Sequence, residues 1–312
     1  MERQLPLLDL APLRSGDQDA RHALAREMQA ACRAHGFFYI AGHAIPAELV
    51  NEVLDEIRKL FALPAADKLA IARRDPRIER GWEPLGSQVL EPGALPDLKE
   101  AFGIGPAGDP DWPNLWPAAL PGLQPLLLRY FALCQSLAVD LMGLLALSLD
   151  LPEDHFRGFC TAPLCGLRAL HYPPQAPSAE ALQRGAGAHT DFGALTLLTQ
   201  DDTGGLELFD PDSGWFAAAP LPGTMVVNLG DLIPRWTNDR YRSTVHRVIN
   251  RSGRHRYSVP FFFDGNPQAQ IACLPTCQGP GNPPRHAPIS VADHIQTMTQ
   301  AVYNPAARQK AI

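Results

Sequence analysis

The segment from Gly187 to Leu198 reads GAHTDFGALTLL and is the starting point for interpreting this chain. It places His189 two residues before Asp191, directly ahead of a run of residues with high β propensity. In a β-strand, residues i and i+2 point to the same face, so these two side chains are predicted to project together. An imidazole nitrogen and a carboxylate oxygen are two suitable ligands for a divalent transition metal.

A third ligand and a carboxylate-binding pair follow further along the chain. His246 lies in a second β-rich segment, residues 241–248, and Arg256 and Ser258 come after it. A His-x-Asp pair with a distant histidine has the ligand composition of the 2-His-1-carboxylate triad that binds non-haem Fe(II). Arg256 and Ser258 share a strand face, and a planar guanidinium pairs with a carboxylate through two parallel hydrogen bonds.

On these residues, the segment from Leu167 to Asp264 resembles the Fe(II)- and 2-oxoglutarate-dependent oxygenases of the isopenicillin N synthase-like family. The resemblance implies that His189, Asp191 and His246 bind Fe(II), which leaves room for the keto-acid end of 2-oxoglutarate and for O2. It also implies that Arg256 and Ser258 bind the far carboxylate of 2-oxoglutarate.

Two further positions match motifs of that family. Tyr172, in a Tyr-Pro pair, is implied to help hold the co-substrate, whereas the asparagine that many relatives carry two residues earlier is replaced by Leu170. Asn228, in the sequence NLGD, matches an Asn-x-Gly-Asp motif and is predicted to line the co-substrate pocket. His171 lies beside Tyr172 and therefore on the opposite strand face, so it is not counted as a ligand.

Aromatic residues beside these positions are the candidates for substrate contacts. Phe192 directly follows Asp191, and Phe262 is in phase with Arg256 and Ser258 along one strand. Two aromatic walls favour a small substrate that is mainly apolar or aromatic.

The predicted fold is mixed α/β with a mainly β core, a double-stranded β-helix (jelly roll) with a helical N-terminal region and a C-terminal helix. Short β-rich runs separated by turns dominate the second half, as expected of an antiparallel jelly roll. We predict a helical region over residues 1–95, a β-helix core over 96–290 with a backing helix over 120–149, and a C-terminal helix over 291–312. These parts are expected to form one structural unit. The Pro/Gly/Trp-rich stretch over 73–105 is predicted to have few regular strand pairs.

Composition limits the possible partners. The net charge of −6 and pI near 5.9 argue against a nucleic-acid-binding surface. The apolar stretch over 120–149 is interrupted by Arg129, Gln135 and Asp140, which indicates a buried helix rather than a membrane span. The six cysteines form no zinc-binding pattern and are expected to be free thiols. We expect a cytoplasmic monomer or small homo-oligomer whose partner is a small molecule.

The resemblance implies a non-haem iron dioxygenase of secondary metabolism that releases succinate and CO2 while it hydroxylates, desaturates or cyclises a small organic substrate. A carboxylate at Asp191 argues against halogenation. Three alternatives stay open: an oxygenase that forms ethylene and succinate from 2-oxoglutarate, a zinc enzyme on a cupin-like barrel, and a non-catalytic binding protein.

Overall fold

The computed structural model describes residues 4–75, 78–175 and 183–303. The helices are α1 (Pro12–Ser15), α2 (Gln18–Ala34), α3 (Ala47–Phe61), α4 (Ala65–Ala70), α5 (Leu123–Ser148), α6 (Leu232–Thr237) and α7 (Val291–Tyr303). The strands are β1 (Leu7–Asp9), β2 (Phe37–Ala41), β3 (Gly81–Glu83), β4 (Glu100–Ile104), β5 (Leu164–Tyr172), β6 (Ala186–His189), β7 (Leu195–Gln200), β8 (Leu206–Asp210), β9 (Gly214–Ala217), β10 (Met225–Leu229), β11 (His246–Val248), β12 (Arg256–Gly265), β13 (Gln270–Ile271) and β14 (Ile289–Ser290).

The strands form two sheets that pack against each other as a jelly roll, which confirms the predicted fold class. The large sheet has the order β1-β2-β10-β7-β12-β5-β4-β3, and the small sheet has the order β6-β11-β8-β9. Every pair in both sheets is antiparallel except β1 with β2, which is parallel. Strands β13 and β14 form a separate two-stranded ribbon.

Successive side chains of β12 point alternately to the outer and the inner face of the large sheet. Val259, Phe261 and Phe263 belong to the main hydrophobic core, together with residues of α2, α3 and α5. Arg256 and Ser258 point the other way, as the period of two requires. A smaller apolar cluster lies between the sheets, because its members come from both of them: Phe37, Tyr39, Tyr172, Ala186, Leu206, Leu208, Val226 and Val248.

The apolar stretch predicted as a backing helix over 120–149 contains helix α5. By length and composition it is the one helix among the described residues that passes as a candidate membrane span. In this fold, 56% of its most apolar window is buried, and the helix packs on α2, α3, β7 and β12. Its buried face therefore forms part of the main core.

Two short strands, β3 and β4, lie in the stretch over 73–105, for which few regular strand pairs were predicted. Strands β3 and β4 extend the large sheet beyond β5, and all five residues of β4 are buried. Glycine lowers the β propensity of these segments, so propensity alone does not predict them as strands. At Gly103 the backbone of Glu79 approaches so closely that a Cβ would lie 2.1 Å from its carbonyl oxygen. Residues 304–312 of the predicted C-terminal helix lie outside the described residues.

Candidate metal centre and co-substrate pocket

His189, Asp191 and His246 converge between the two sheets. Strands β6 and β11 pair antiparallel with His189 directly opposite His246, and the two ring centroids are 4.3 Å apart. The Nε2 atoms of His189 and His246 lie 3.8 and 3.7 Å from Oδ1 of Asp191. One ligand atom from each residue lies within 4.8 Å of the others, so the three can hold one metal ion.

Backbone carbonyls fix both imidazoles in the orientation that a metal ligand needs. Nδ1 of His189 is 2.7 Å from the Gly187 carbonyl oxygen, and Nδ1 of His246 is 3.2 Å from that of Thr244. A proton on each Nδ1 donates to these carbonyls and leaves the Nε2 lone pairs facing Asp191. Burial and the neighbouring His246 lower the pKa of His189 to about 3, so this imidazole is neutral at neutral pH.

The carboxylate of Asp191 is held through its second oxygen. Oδ2 accepts hydrogen bonds from the Thr196 hydroxyl at 2.5 Å and from the Asn228 amide at 2.6 Å, which leaves Oδ1 for a metal. Burial on its own would raise the pKa of Asp191, but the two histidines and these two donors lower it below its ordinary value. Asp191 is therefore an anion at neutral pH and can serve as an anionic metal ligand.

Thr196 was not identified from the sequence, although it lies between Gly187 and Leu198 and faces inward five residues after Asp191. Asn228 was predicted to line the co-substrate pocket. Its amide instead donates to Asp191, and a contact of its second N–H with the co-substrate stays a prediction. Thr196 and Asn228 sit opposite each other in the β10–β7 pair.

We expect Thr196→Val and Asn228→Leu each to weaken Fe(II) binding by roughly 10–100-fold, the usual effect of removing a residue that orients a metal ligand. Each substitution keeps the number and branching of the side-chain heavy atoms, and circular dichroism checks that the fold is retained. Anaerobic Fe(II) titration measures the effect. Thr203→Val, at a threonine whose hydroxyl bonds the exposed His255 carbonyl, is the matched control. Fe(II) affinities within twofold of wild type for both variants would contradict the supporting role.

The segment before β4 covers strand β6. The Asp97 carboxylate accepts a hydrogen bond from the Gly187 amide at 2.9 Å and pairs with Lys99 at 2.6 Å. Glu91 accepts from the Ala188 amide at 3.2 Å. These bonds satisfy backbone donors of β6, so the N-terminal half helps to position His189.

Arg256, which is 1% exposed, forms the second part of the site. Its Nε donates to the Gly204 carbonyl at 2.8 Å, and its two terminal nitrogens donate to Ser258 Oγ at 3.0 Å and Gln200 Oε1 at 2.9 Å. The guanidinium lies 4.8 Å from the ring centroid of Tyr172, the residue opposite it on β5. The structure thus brings Arg256, Ser258 and Tyr172 together, as predicted, and adds Gln200, which no sequence motif had indicated.

The partners of Arg256 suggest what it binds. Among the described residues they are a carbonyl, a hydroxyl and a side-chain amide, none of which is charged. A buried cation without a counter-ion is costly. An arginine has five N–H donors, and these bonds use three of them. One N–H therefore remains on each terminal nitrogen, which suits an anion with two oxygens such as a carboxylate.

The two predicted substrate residues are both partly exposed. Phe262 lies on the inner strand face with Arg256 and Ser258, and it belongs to neither hydrophobic cluster of the described residues. The carbonyl of Phe192 accepts a hydrogen bond from His294 of α7 at 3.0 Å, which ties the loop after Asp191 to the C-terminal helix. The sequence did not indicate this contact.

His171 lies away from the triad, on the strand face opposite to that of Tyr172, as expected from its position. Its Nδ1 is 2.7 Å from Glu100 and its Nε2 is 2.8 Å from His255. The ring also stacks on Tyr257, on the outer side of the large sheet.

Two family models match the chain. The model of the 2OG-Fe(II) oxygenase superfamily matches residues 163–265, and that of the N-terminal region of non-haem dioxygenases in morphine synthesis matches residues 5–119. The first of these ranges contains every residue proposed above for the metal and the co-substrate.

Similar proteins cover almost the whole chain. The 2-oxoglutarate-Fe(II) type oxidoreductase hxnY of Emericella nidulans is 42% identical, with 98% of this chain and 92% of the relative covered. The homoarginine-6-hydroxylase 2-ODD-233 of Oryza sativa is 35% identical over 88% and 90% of the two chains. The crystal structure of a full-length Neurospora crassa protein in complex with alpha-KG (2-oxoglutarate) and thymine superposes with a TM-score of 0.89, at 29% identity over 96% and 97% of the chains. The chain therefore belongs to the 2-oxoglutarate–Fe(II) oxygenase superfamily and is a 2-oxoglutarate-dependent non-haem iron dioxygenase.

Proposed function

We propose that the protein couples the oxidative decarboxylation of 2-oxoglutarate to the oxidation of a small organic molecule, with His189, Asp191 and His246 as the Fe(II) ligands. The observation that carries this proposal is the convergence of two imidazole Nε2 atoms and one carboxylate oxygen within 4.8 Å. Two neutral nitrogen donors and one anionic oxygen donor match the donor set of Fe(II) oxygenases.

When bound, Fe(II) supplies the redox chemistry that activates O2. The residues of the chain bind and orient the metal and the co-substrate. Asp191 contributes one negative charge, so the centre stays positive and attracts an anionic chelator in a pocket of low dielectric constant. Arg256 and Ser258 hold the far carboxylate of 2-oxoglutarate, and the ring of Tyr172 supports the guanidinium. Phe262 supplies an apolar wall beside the co-substrate.

The substrate is proposed to be a small molecule with an aromatic or apolar part, which Phe192 and Phe262 would contact. The relatives differ in what they bind or act on: the rice enzyme is named for homoarginine, and the N. crassa structure contains thymine. Neither molecule is assigned to this protein. The outcome at the substrate is proposed to be hydroxylation, desaturation or cyclisation.

The test is a substrate screen that measures succinate, run first without O2 and then with it. We expect succinate to form only with Fe(II), 2-oxoglutarate and O2 together, and faster when a substrate is present. Ethylene formed without any added substrate would instead indicate fragmentation of 2-oxoglutarate itself. Turnover with Zn(II) and no O2 consumption would overturn the proposal in favour of a zinc enzyme. No turnover of any kind, with no binding of 2-oxoglutarate, would favour a non-catalytic protein.

We also propose that the protein works as a small-molecule enzyme in a reducing compartment such as the cytoplasm. Its six cysteines are all free thiols. Burial raises the pKa of Cys134 to about 12 and that of Cys160 to about 11, so these thiols stay protonated and unreactive.

A further inference from the structure

Asp264 carries a carboxylate next to the loop that follows Asp191, and none of the roles above uses it. It lies near the end of β12, two residues after Phe262, at a point where the register with β5 shifts between Phe263 and Gly265. Such β-bulges re-aim one side chain and are frequent beside active sites. The carboxylate lies against the loop that follows Asp191, since a Cβ on Gly193 would be 1.7 Å from Asp264 Oδ1. Only glycine leaves room there.

The side-chain carboxylate of Asp264 makes no hydrogen bond or ion pair with any residue in the described ranges 4–75, 78–175 and 183–303. It lies deep among protein atoms and yet retains accessible surface. An ionised carboxylate in such a place is costly without a donor or a cation.

Arg168 and Arg73 already have anionic partners. Arg168, which lies on the inner face of β5, donates to Glu79 at 2.9 Å and to Glu83 at 2.8 Å. Arg73 pairs with Glu83 at 2.8 Å. When Fe(II) and 2-oxoglutarate are bound, the formal positive charge of Fe(II) and Arg256 equals the formal negative charge of Asp191 and the 2-oxoglutarate dianion. Asp264 is then a carboxylate beside the metal centre whose charge no residue of the described ranges balances.

We infer that Asp264 is a specificity-determining residue that binds a basic nitrogen of the primary substrate. This inference rests on the proposed function, because it places the nitrogen beside the metal centre and the co-substrate pocket. The substrate class is a small amine or basic nitrogen compound that binds as a cation and carries an apolar or aromatic part.

Two further observations support a cation at this position. Phe262 lies two residues before Asp264 on the same strand and is partly exposed, and an aromatic ring beside a carboxylate favours a positively charged nitrogen. Burial, together with the charges of Asp191 and Glu79, raises the pKa of Asp264 to about 7. A cationic ligand would oppose these effects and keep the carboxylate ionised.

The test uses the Fe(II)–2-oxoglutarate complex under nitrogen and three probes of similar shape: benzylamine, benzyl alcohol and benzoate. Perturbation of the metal-to-ligand charge-transfer band reports binding beside the metal. In the wild type we expect benzylamine to bind at least tenfold more tightly than the alcohol, and benzoate to bind least. Asp264→Asn, which keeps the shape and removes the charge, should weaken benzylamine binding by roughly tenfold to a hundredfold.

Asp264→Ala is the second variant, because its smaller side chain fits the space beside Gly193. Asp202→Asn, at a carboxylate whose side chain is 83% exposed, is the matched control and should bind benzylamine like the wild type. Three results would overturn the inference: no response to benzylamine, equal binding of the alcohol, or unchanged benzylamine binding in both Asp264 variants, which would indicate an amine bound to the iron directly. If the wild type forms no charge-transfer band at all, the proposed function itself fails.

Discussion

Replacing Asp191 by alanine is expected to abolish turnover and to weaken Fe(II) binding by more than the roughly 10–100-fold typical of residues that only orient a ligand. The substitution removes the one anionic ligand of the triad. It also leaves the Thr196 hydroxyl and the Asn228 amide, which donate to Asp191 at 2.5 and 2.6 Å, without their acceptor. His189→Ala and His246→Ala should act in the same direction, because each removes one of the two nitrogen ligands.

Anaerobic Fe(II) titration and turnover at limiting iron measure these effects, and circular dichroism checks that the fold is retained. Asp202→Ala is the control, since it removes a carboxylate from the protein surface. Near-normal turnover of any triad variant at sub-stoichiometric iron would show that the metal binds elsewhere.

The second large effect is expected at Arg256. Arg256→Lys keeps the positive charge, but an ammonium cannot present two parallel N–H groups to the far carboxylate of 2-oxoglutarate. Lysine also cannot replace the bonds of the guanidinium to Gly204, Ser258 and Gln200. Losing one charge-assisted hydrogen bond in a buried site costs about 1.5–3 kcal/mol, or roughly ten- to a hundredfold in affinity. The loss should appear in the affinity for 2-oxoglutarate, while Fe(II) affinity without co-substrate stays unchanged.

The measurement is a titration of the Fe(II) protein with 2-oxoglutarate under nitrogen, followed by the charge-transfer band. Ser258→Ala should weaken binding less than Arg256→Lys, because a neutral hydroxyl donates one bond. Arg254→Lys is the matched control: it changes the same residue type two positions earlier, where the side chain is 58% exposed and pairs with Asp202. If Arg256→Lys titrates like the wild type, the co-substrate carboxylate is bound by another residue.

Several parts of the site could be predicted because they depend on short stretches of one strand. His189 and Asp191 are two residues apart, as are Arg256 and Ser258, and the period of two in a β-strand places each pair on one face whatever the rest of the fold does. The same alternation predicted that His171 lies on the opposite face from Tyr172, where its partners are Glu100 and His255. Residue chemistry then restricted what such pairs bind, because two imidazoles with a carboxylate suit a transition metal and a buried guanidinium suits a carboxylate.

The amino-acid sequence was therefore sufficient to predict the fold class, and it singled out the His189–Asp191–His246 triad and the Arg256–Ser258 pair that the structure brings together. The residues that support them became visible only in three dimensions. Thr196 and Asn228 reach Asp191 only because β7 pairs with β10, and Gln200 reaches Arg256 only because β7 pairs with β12. The position of Asp264 depends on a β-bulge and on the missing Cβ of Gly193. Alternation within a strand is set by neighbouring residues, whereas register, bulges and close backbone approaches depend on partner strands distant in sequence.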